Sequence, residues 1–180
     1  MSSEPTSDEP GVLGALRVDG GIGIVTVPIQ VDADVSEVWS AITDPSGLSQ
    51  WVGHVDGALR AGGSFRAHFF PSEWEGTGTV TACEAPHRWC VSTTQDGETD
   101  ALQIDATVTA ETRGGSTVRF VHSGMDAAML AGYAAGLQVR AENLARYLGG
   151  REVIGLDRFR VLFALYKDVS VEGKPTNIDR

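Results

Sequence analysis

Hydrophobic residues alternate with polar or small ones along much of the chain between residues 21 and 123, as in β-strands with one buried face. The first alternating segment is 21–33, in which every second residue from 25 to 31 is Val or Ile. Six more such segments lie between residues 54 and 123, separated by turn signals such as Gly62-Gly63. Consecutive strands joined by short turns predict an antiparallel meander.

Two short helices are predicted between the first strand and the meander. Residues 35–42 place apolar side chains at helical spacing, and Asp34 forms a capping-box pattern with Glu37 three residues later. Pro45 cannot continue this helix, and the stretch SGLSQW after it is interpreted as a second short helix. One strand, two short helices, a meander and a closing helix together predict an α+β domain.

The closing helix is predicted from about Asp126 to Leu148, because apolar residues recur there at a spacing of three and four. The resulting stripe consists of Leu130, Tyr133, Ala134, Leu137, Ala141, Leu144, Ala145 and Leu148. The first half of this helix is almost entirely Ala, Gly and Met, which provide little volume to fill a core. We therefore predict that this half, including Ala131 and Ala135, borders an internal cavity.

Four stretches of the chain resemble, in order, motifs of one known family. They are VDADVSEVWSAITDPSGLSQW (31–51), ALRAGGSFR (58–66), EGTGTVTACEAPHRW (75–89) and VRFVHSG (118–124). The family is that of the activator of Hsp90 ATPase homologue 1-like proteins, within the START-like or Bet v 1-like (SRPBCC) superfamily. The resemblance covers about residues 22–149 and implies a helix-grip fold, in which a seven-stranded antiparallel sheet curves around the long C-terminal helix. It also implies a cavity between sheet and helix, which in relatives holds lipids, polyketides or hormones.

Two features depart from the family pattern. Leu137 stands where the closing helix of the family usually has Trp, which leaves more room in the predicted cavity. The segment 151–180 has no counterpart, and it is apolar enough to need covering. We predict that it packs on the domain, covers the cavity mouth or joins a homodimer through residues 151–171. The predicted START/Bet v 1-like domain is thus 20–150, between an N-terminal tail (1–19) and this extension.

The composition limits the classes of partner. With 14 basic and 24 acidic residues the formal net charge is -10, which argues against a nucleic-acid partner and against an anionic membrane surface. Residues 1–19 open with an acidic stretch containing Ser and Pro and lack the features of a signal peptide, so a disordered tail is predicted. No apolar run is long enough for a membrane span. A cytoplasmic protein is expected, and the abundant Ala, Gly and Val are typical of a GC-rich bacterial genome.

Several kinds of chemistry lack their sequence signature. The four histidines show neither HExxH nor a Cys/His zinc spacing, so no metal site and no cofactor are predicted. No GxSxG motif for a nucleophile is present. Cys83 and Cys90 lie symmetrically about the turn EAPH and are interpreted as two reduced thiols, with pairing across the hairpin as the alternative.

The residues proposed to line the cavity come from the ends of strands and from the closing helix. His122 ends the last strand, where it either points into the cavity or caps the turn HSGMD, and Tyr133 stands in the small-residue half of the helix. Arg66 and His68 share one face of a strand and would orient ligand oxygens if that face lines the cavity. The full set is Trp51, Arg66, His68, Phe70, Trp74, His122, Met129, Tyr133 and Leu137.

Three functions are compatible with these features. The first is binding of a small hydrophobic or aromatic molecule in the cavity between sheet and helix. The second is an enzyme of the cyclase, aromatase or hydrolase type that uses His122, His68 or Tyr133 as acid or base in the same cavity. The third, ranked lowest, is a protein-interaction or chaperone-regulating module. Fold alone does not decide among them.

Overall fold

A computed structural model describes residues 12–70 and 72–173. Within these residues the chain forms nine β-strands, four α-helices and one 3-10 helix. The strands are β1 Ala15–Asp19, β2 Ile22–Val31, β3 Gly53–Gly57, β4 Ser64–Phe69, β5 Trp74–Glu84, β6 Arg88–Gln95, β7 Leu102–Ala110, β8 Ser116–Asp126 and β9 Val171–Glu172. The helices are α1 Val35–Thr43, α2 Pro45–Trp51, α3 Leu130–Leu148 and α4 Leu156–Tyr166, with the 3-10 helix Ala127–Met129 before α3.

These strands form one sheet in the order β3-β4-β5-β6-β7-β8-β2-β1-β9. The predicted meander corresponds to β3–β8, and neighbouring strands are antiparallel except for β1 and β9. The long helix α3 packs against β2 and β8. The α+β helix-grip architecture implied by the sequence is therefore confirmed.

The predicted number of seven strands is wrong, because two further strands extend one edge of the sheet. β1 joins β2 through a turn at Gly20 and Gly21, whose φ angles of 55° and 85° suit glycine. Leu16 of β1 is buried, which gives this strand a core-facing side. β9 then pairs in parallel with β1. The predicted disordered tail therefore does not extend over residues 15–19, and residues 1–11 lie outside the described part of the chain.

The two predicted short helices are confirmed as α1 and α2. The backbone N–H of Glu37 donates to the carboxylate of Asp34 at 2.9 Å, and the N–H of Asp34 donates to the carboxylate of Glu37 at 3.0 Å. This is the capping box, which satisfies backbone donors that the helix itself leaves free. Pro45 is the first residue of α2, and Trp51 at its end is buried.

The closing helix begins four residues later than predicted. β8 extends to Asp126, whose carboxylate accepts a hydrogen bond of 2.8 Å from the backbone N–H of Ala128. The 3-10 helix then leads into α3 at Leu130. The most deeply buried residues of α3 are mostly small, with Ala134, Ala135, Ala141 and Leu144 at 0% exposure.

The segment after the family-like domain forms α4, which packs on α3. Glycines make α3 thin on this side. A Cβ added to Gly132 would lie 3.9 Å from the ring of Phe163, and one added to Gly136 would lie 4.0 Å from the ring of Phe159. The small residues of α3 thus let two aromatic rings of α4 approach the helix closely.

Polar groups buried between α3 and the C-terminal segment have partners. The side-chain amide of Asn143 donates to the carbonyl of Ile154 at 2.9 Å, and its oxygen accepts from the N–H of Ile154 at 2.7 Å. The carboxylate of Glu142 accepts two hydrogen bonds of 2.9 Å from the guanidinium of Arg158. These contacts fix the segment on the helix.

The hydroxyl of Tyr166, at the end of α4, connects this contact to the N-terminal part of the chain. It accepts a hydrogen bond of 2.7 Å from the N–H of Gly14 and donates to the side-chain oxygen of Gln138 on α3. Burial raises the pKa of Tyr166, so the hydroxyl stays protonated as a donor. We call Gln138, Glu142, Asn143, Arg158 and Tyr166 the α3–α4 polar network.

Both cysteines are free thiols. A bulge between Val80 and Ala82 shifts the β5–β6 register, so that Cys83 lies opposite Trp89 and Cys90 lies opposite Ala82. The two sulfur atoms are therefore not cross-strand partners, and the interpretation as unpaired thiols is confirmed.

Candidate ligand-binding cavity

A cavity of about 280 Å³ lies between the sheet and α3. Its walls come from strands β4–β8 on one side and from α3 on the other, and Phe159 of α4 adds to them. The small-residue half of α3 does border this cavity, through Gly132, Tyr133 and Gly136. Ala131 and Ala135 do not line it, because they point away from this face of the helix.

Aromatic rings form much of the wall. Phe69 and Trp74 stack with ring centroids 4.9 Å apart and an angle of 18° between their planes. The guanidinium carbon of Arg140 lies 5.1 Å from the centroid of the Phe69 ring, which is within the range of a cation–π contact. A planar ligand would meet complementary ring faces and edges here.

His122 is a polar group in this wall, and it is only 5% exposed. Neither of its ring nitrogens has a hydrogen-bond partner among the residues that the structure describes, so it does not cap the turn after β8. Its ring instead meets the ring of Tyr133 edge to face, with centroids 5.2 Å apart. Burial, and secondarily the charge of Arg140, lower the pKa of His122 to about 3. The imidazole is therefore neutral at pH 7.

Arg140 is the functional candidate that the sequence did not reveal. On α3 it lies one turn after Leu137 and two turns after Tyr133. These three residues are on the same face of the helix, and the side chain of Arg140 therefore lines the cavity. No carboxylate lies within 4.0 Å of its guanidinium in residues 12–70 and 72–173. Burial lowers the pKa of Arg140 to about 10, which still leaves it charged at pH 7.

A second hollow of about 90 Å³ adjoins the cavity and is almost wholly apolar. The two spaces share four lining residues, Phe69, Ile104, Leu137 and Arg140. Trp51 lines the second hollow, and its indole N–H already donates to the carbonyl of Ala41 at 2.9 Å. Trp51 therefore offers a ligand its ring and not its N–H group.

A family model described as activator of Hsp90 ATPase homolog 1-like protein matches residues 32–149. The chain belongs to this family. No protein with a curated description matches the sequence.

Solved structures similar to this family member include CalU16, DynU16 and EF2215. The crystal structure of CalU16 from Micromonospora echinospora has a TM-score of 0.68 and 22% identity, and covers 86% of this chain and 91% of CalU16. DynU16, a protein in the dynemicin biosynthetic locus, has a TM-score of 0.66 and 29% identity, and covers 72% of this chain and 49% of DynU16. The match thus spans about half of DynU16. EF2215, a conserved protein from Enterococcus faecalis, has a TM-score of 0.66 and 16% identity, and covers 86% of this chain and 88% of that one.

The structure of this family member brings five of the predicted residues together around the cavity. They are Trp74, His122, Met129, Tyr133 and Leu137. Met129 is 56% exposed and lies where the cavity meets solvent. Trp51 lines the second hollow, as described above.

The other three predicted residues lie elsewhere, and their assignment to the cavity is wrong. Strand alternation turns Phe65, Ala67 and Phe69 inward, so Arg66 and His68 point to the outer face of the sheet. Arg66 pairs there with Asp96, with one hydrogen bond of 3.2 Å and a second, shorter one. The ring nitrogen Nε2 of His68 lies 3.3 Å from the carboxylate of Glu73. Phe70, just past the strand, does not line the cavity.

At the end near Met129, a groove of about 310 Å³ continues the cavity past Trp74 and Tyr133. Its lining includes three carboxylates, those of Glu98, Asp100 and Asp126. The cavity therefore has an acidic end at this groove and a basic group, Arg140, away from it.

Metal-ligand clusters and membrane-crossing helices are not found in residues 12–70 and 72–173. No group of three or more His, Cys, Asp or Glu side chains there is arranged to hold a metal ion. No helix in residues 12–70 and 72–173 has both the length and the apolar character needed to cross a bilayer.

Proposed function

We propose that the protein binds a small hydrophobic or aromatic molecule in the cavity between the sheet and α3. The observation that carries the proposal is an aromatic-walled space of about 280 Å³ with a few buried polar groups. Small-molecule sites are built in this way, since apolar walls supply affinity and a few polar groups fix orientation.

The size of the space limits the ligand. About 280 Å³ lies near the lower end of the volumes usual for ligand sites. The adjoining apolar hollow of about 90 Å³ could receive one extra ring or a short alkyl group. A molecule of two or three rings fits these two spaces, and any longer part would extend past Trp74 and Tyr133 into the groove of about 310 Å³.

The comparison with DynU16 supports a small-molecule role. DynU16 is 29% identical over the matched region and is a protein of the dynemicin biosynthetic locus. A locus that makes a natural product contains proteins that meet small organic molecules. We take this as support for the class of ligand and not for its identity.

Catalysis in the same cavity is the second candidate function. The edge-to-face contact of His122 and Tyr133 places two acid–base groups beside each other in the cavity wall. The lowered pKa of His122 makes it a weak base, however, and general bases work best with a pKa near the operating pH. We therefore place ligand binding first.

Native mass spectrometry of the protein purified gently from its own host tests the proposal. We expect a mass higher than that of the chain by one small molecule, which dissociates on activation in the gas phase. A ligand-free spectrum, together with no binding of aromatic probes in calorimetry, would contradict the proposal. A spectrum showing a chemically altered product after addition of the released ligand would favour catalysis.

The same spectrum reports the oligomeric state. The homodimer through residues 151–171 stays a prediction, as does the cytoplasmic location. The inner face of α4 is already used, since Leu162 and Tyr166 are buried within the chain. The apolar surface left for a partner is at Val153, Leu156 and Val161, which are 40–51% exposed.

A further inference from the structure

The cavity contains a positive charge that the described part of the chain does not neutralise. Arg140 lines the cavity and the hollow beside it, without a carboxylate within 4.0 Å in residues 12–70 and 72–173. His122, in the same wall, has no hydrogen bond on either ring nitrogen within those residues. Buried polar groups and the charges beside them in folded proteins are normally paired. His122 is buried and Arg140 is half-buried, so both observations indicate that a partner comes from outside the described residues.

We propose that the ligand is an aromatic molecule with an anionic oxygen, a carboxylate or an ionised phenol, which pairs with Arg140 and accepts a hydrogen bond from His122. This inference rests on the proposed function, because it names the chemical class of the molecule that the cavity binds.

The guanidinium of Arg140 suits this role. Its planar array of N–H donors matches the oxygens of a carboxylate, and such charge-assisted hydrogen bonds are stronger than neutral ones. Its contact with the Phe69 ring uses the π-face of the group and leaves the in-plane N–H donors for another partner. The stacked rings of Phe69 and Trp74 then offer an apolar surface beside the charge.

His122 adds a second donor. A neutral imidazole carries one N–H donor and one acceptor nitrogen, and both are unpaired here among the described residues. A bound anion can accept from the N–H donor. His122 and Arg140 line the same cavity, so one anionic group placed between them can interact with both side chains.

The charges around the cavity also determine the orientation of the ligand. Glu98, Asp100 and Asp126 line the groove at the acidic end and would repel an anion there. The anionic group therefore lies against Arg140 and the aromatic part extends toward Trp74 and Tyr133.

The test compares two probes of equal shape, naphthoate and naphthamide, by isothermal titration calorimetry at pH 7. The carboxylate is charged and the amide is not. We expect the parent protein to bind naphthoate about tenfold to a hundredfold more tightly, as for hydrogen bonds to charged groups. Arg140→Met should remove most of this preference, whereas Arg140→Lys should keep part of it. Arg119→Met, an exposed Arg on β8, is the matched control and should keep all of it.

A measurement on the free protein adds a readout that needs no ligand. If Arg140 is an uncompensated charge kept for binding, Arg140→Met should raise the melting temperature of the ligand-free protein, because an apolar side chain avoids the cost of holding an unpaired charge at this half-buried position. Arg119→Met should leave it unchanged. A clear fall in melting temperature for Arg140→Met would show a structural role and overturn the inference.

The remaining outcomes distinguish this inference from the proposed function. Equal affinity of the parent for naphthoate and naphthamide would overturn the anionic-ligand inference and leave cavity binding standing. A preference that persists in Arg140→Met would overturn it as well. Absence of binding for both probes up to their solubility would count against the inference and the proposed function together.

Discussion

Buried or half-buried polar groups lie on two sides of helix α3, and the two sets differ in whether the described residues supply their partners. On the side of α4, Asn143 forms two hydrogen bonds with Ile154, and Glu142 is paired with Arg158. On the cavity side, within residues 12–70 and 72–173, His122 has no hydrogen bond and Arg140 has no carboxylate.

This difference separates two uses of polarity in one domain. An unsatisfied buried polar group costs about 1–3 kcal/mol, so a protein without a use for it would be more stable with an apolar side chain. The hydrogen-bonded groups on the α4 side, Asn143 and Glu142, fix where the C-terminal segment lies. The groups on the cavity side, His122 and Arg140, lower the stability of the free protein and are useful only if a ligand pairs with them. Replacing a polar residue should therefore lower stability on the α4 side and raise it on the cavity side.

The largest effect is expected on the α4 side. Asn143→Ala removes both partners of the Ile154 backbone and leaves buried groups without hydrogen bonds, which should lower the free energy of unfolding by about 2–4 kcal/mol. Urea denaturation measures this change. Gln50→Ala, at an exposed position of α2, is the control and should change little. A cost for Asn143→Ala no larger than that of the control would mean that this contact does not hold the segment in place.

On the cavity side, the free energy of unfolding is expected to depend on pH through His122, by about 2 kcal/mol. Burial, and secondarily Arg140, lower the pKa of His122 from 6.5 to about 3 in the folded protein. Between these values the unfolded chain takes up a proton at His122 and the folded protein does not, so stability falls as pH falls below 6.5. The parent should lose about 2 kcal/mol more than His122→Leu between pH 7 and pH 5. Urea unfolding at both pH values checks this, and equal losses would show that His122 is protonated in the fold.

A smaller effect, on affinity alone, is expected from filling the cavity. Leu137 lies at the boundary between the cavity and the second hollow, so Leu137→Trp should occupy ligand space and weaken naphthamide binding by about tenfold or more. The control is Leu148→Trp, at the far end of α3 and outside the cavity lining. Calorimetry measures the affinities, and circular dichroism confirms that both variants fold. Undiminished binding by Leu137→Trp would place the ligand elsewhere.

Substitutions on the outer face of the sheet are expected to leave the affinity for naphthamide unchanged. Arg66→Ala and His68→Ala remove polar side chains whose partners are Asp96 and Glu73, away from the cavity. The naphthamide titration should give the same dissociation constant for both variants as for the parent. A weakened affinity would show that this face contacts the ligand after all.

The order of elements could be predicted from the sequence because each boundary has a local cause. The capping box at Asp34, the break at Pro45 and the alternating strands all depend on residues close in sequence. β1 was missed because a five-residue strand next to an acidic stretch has too little pattern of its own. Its partner β9 has only two residues and pairs with it across almost the whole chain.

The candidate site was predicted only in part, because strand alternation defines two faces without saying which is inside. Arg66 and His68 share one face of β4, and alternation from them would put Phe70 on the same face, so aromatic residues occur on both faces of this stretch. The deciding contact is with the next strand: the Phe65 ring packs where a Cβ on Gly78 would lie 2.2 Å away. A glycine opposite an aromatic residue was the available signal for the inner face.

Arg140 was missed for a different reason. An arginine on a long helix is ordinary, and most such residues face solvent. Arg140 lies one turn after Leu137, on the face of α3 that also carries Tyr133, and this spacing could have indicated that its side chain faces the cavity. The lack of a carboxylate beside it within residues 12–70 and 72–173 depends on every element around it and could not be read from sequence.

The family match ends at residue 149, yet Phe159 of α4 lines the cavity. One wall of the binding space is thus supplied by a helix that lies beyond the shared domain. Two members of the family can keep the same sheet and the same long helix and still enclose spaces of different shape. Selectivity can therefore diverge in evolution through the appended helix alone, without a single substitution in the domain that defines the family.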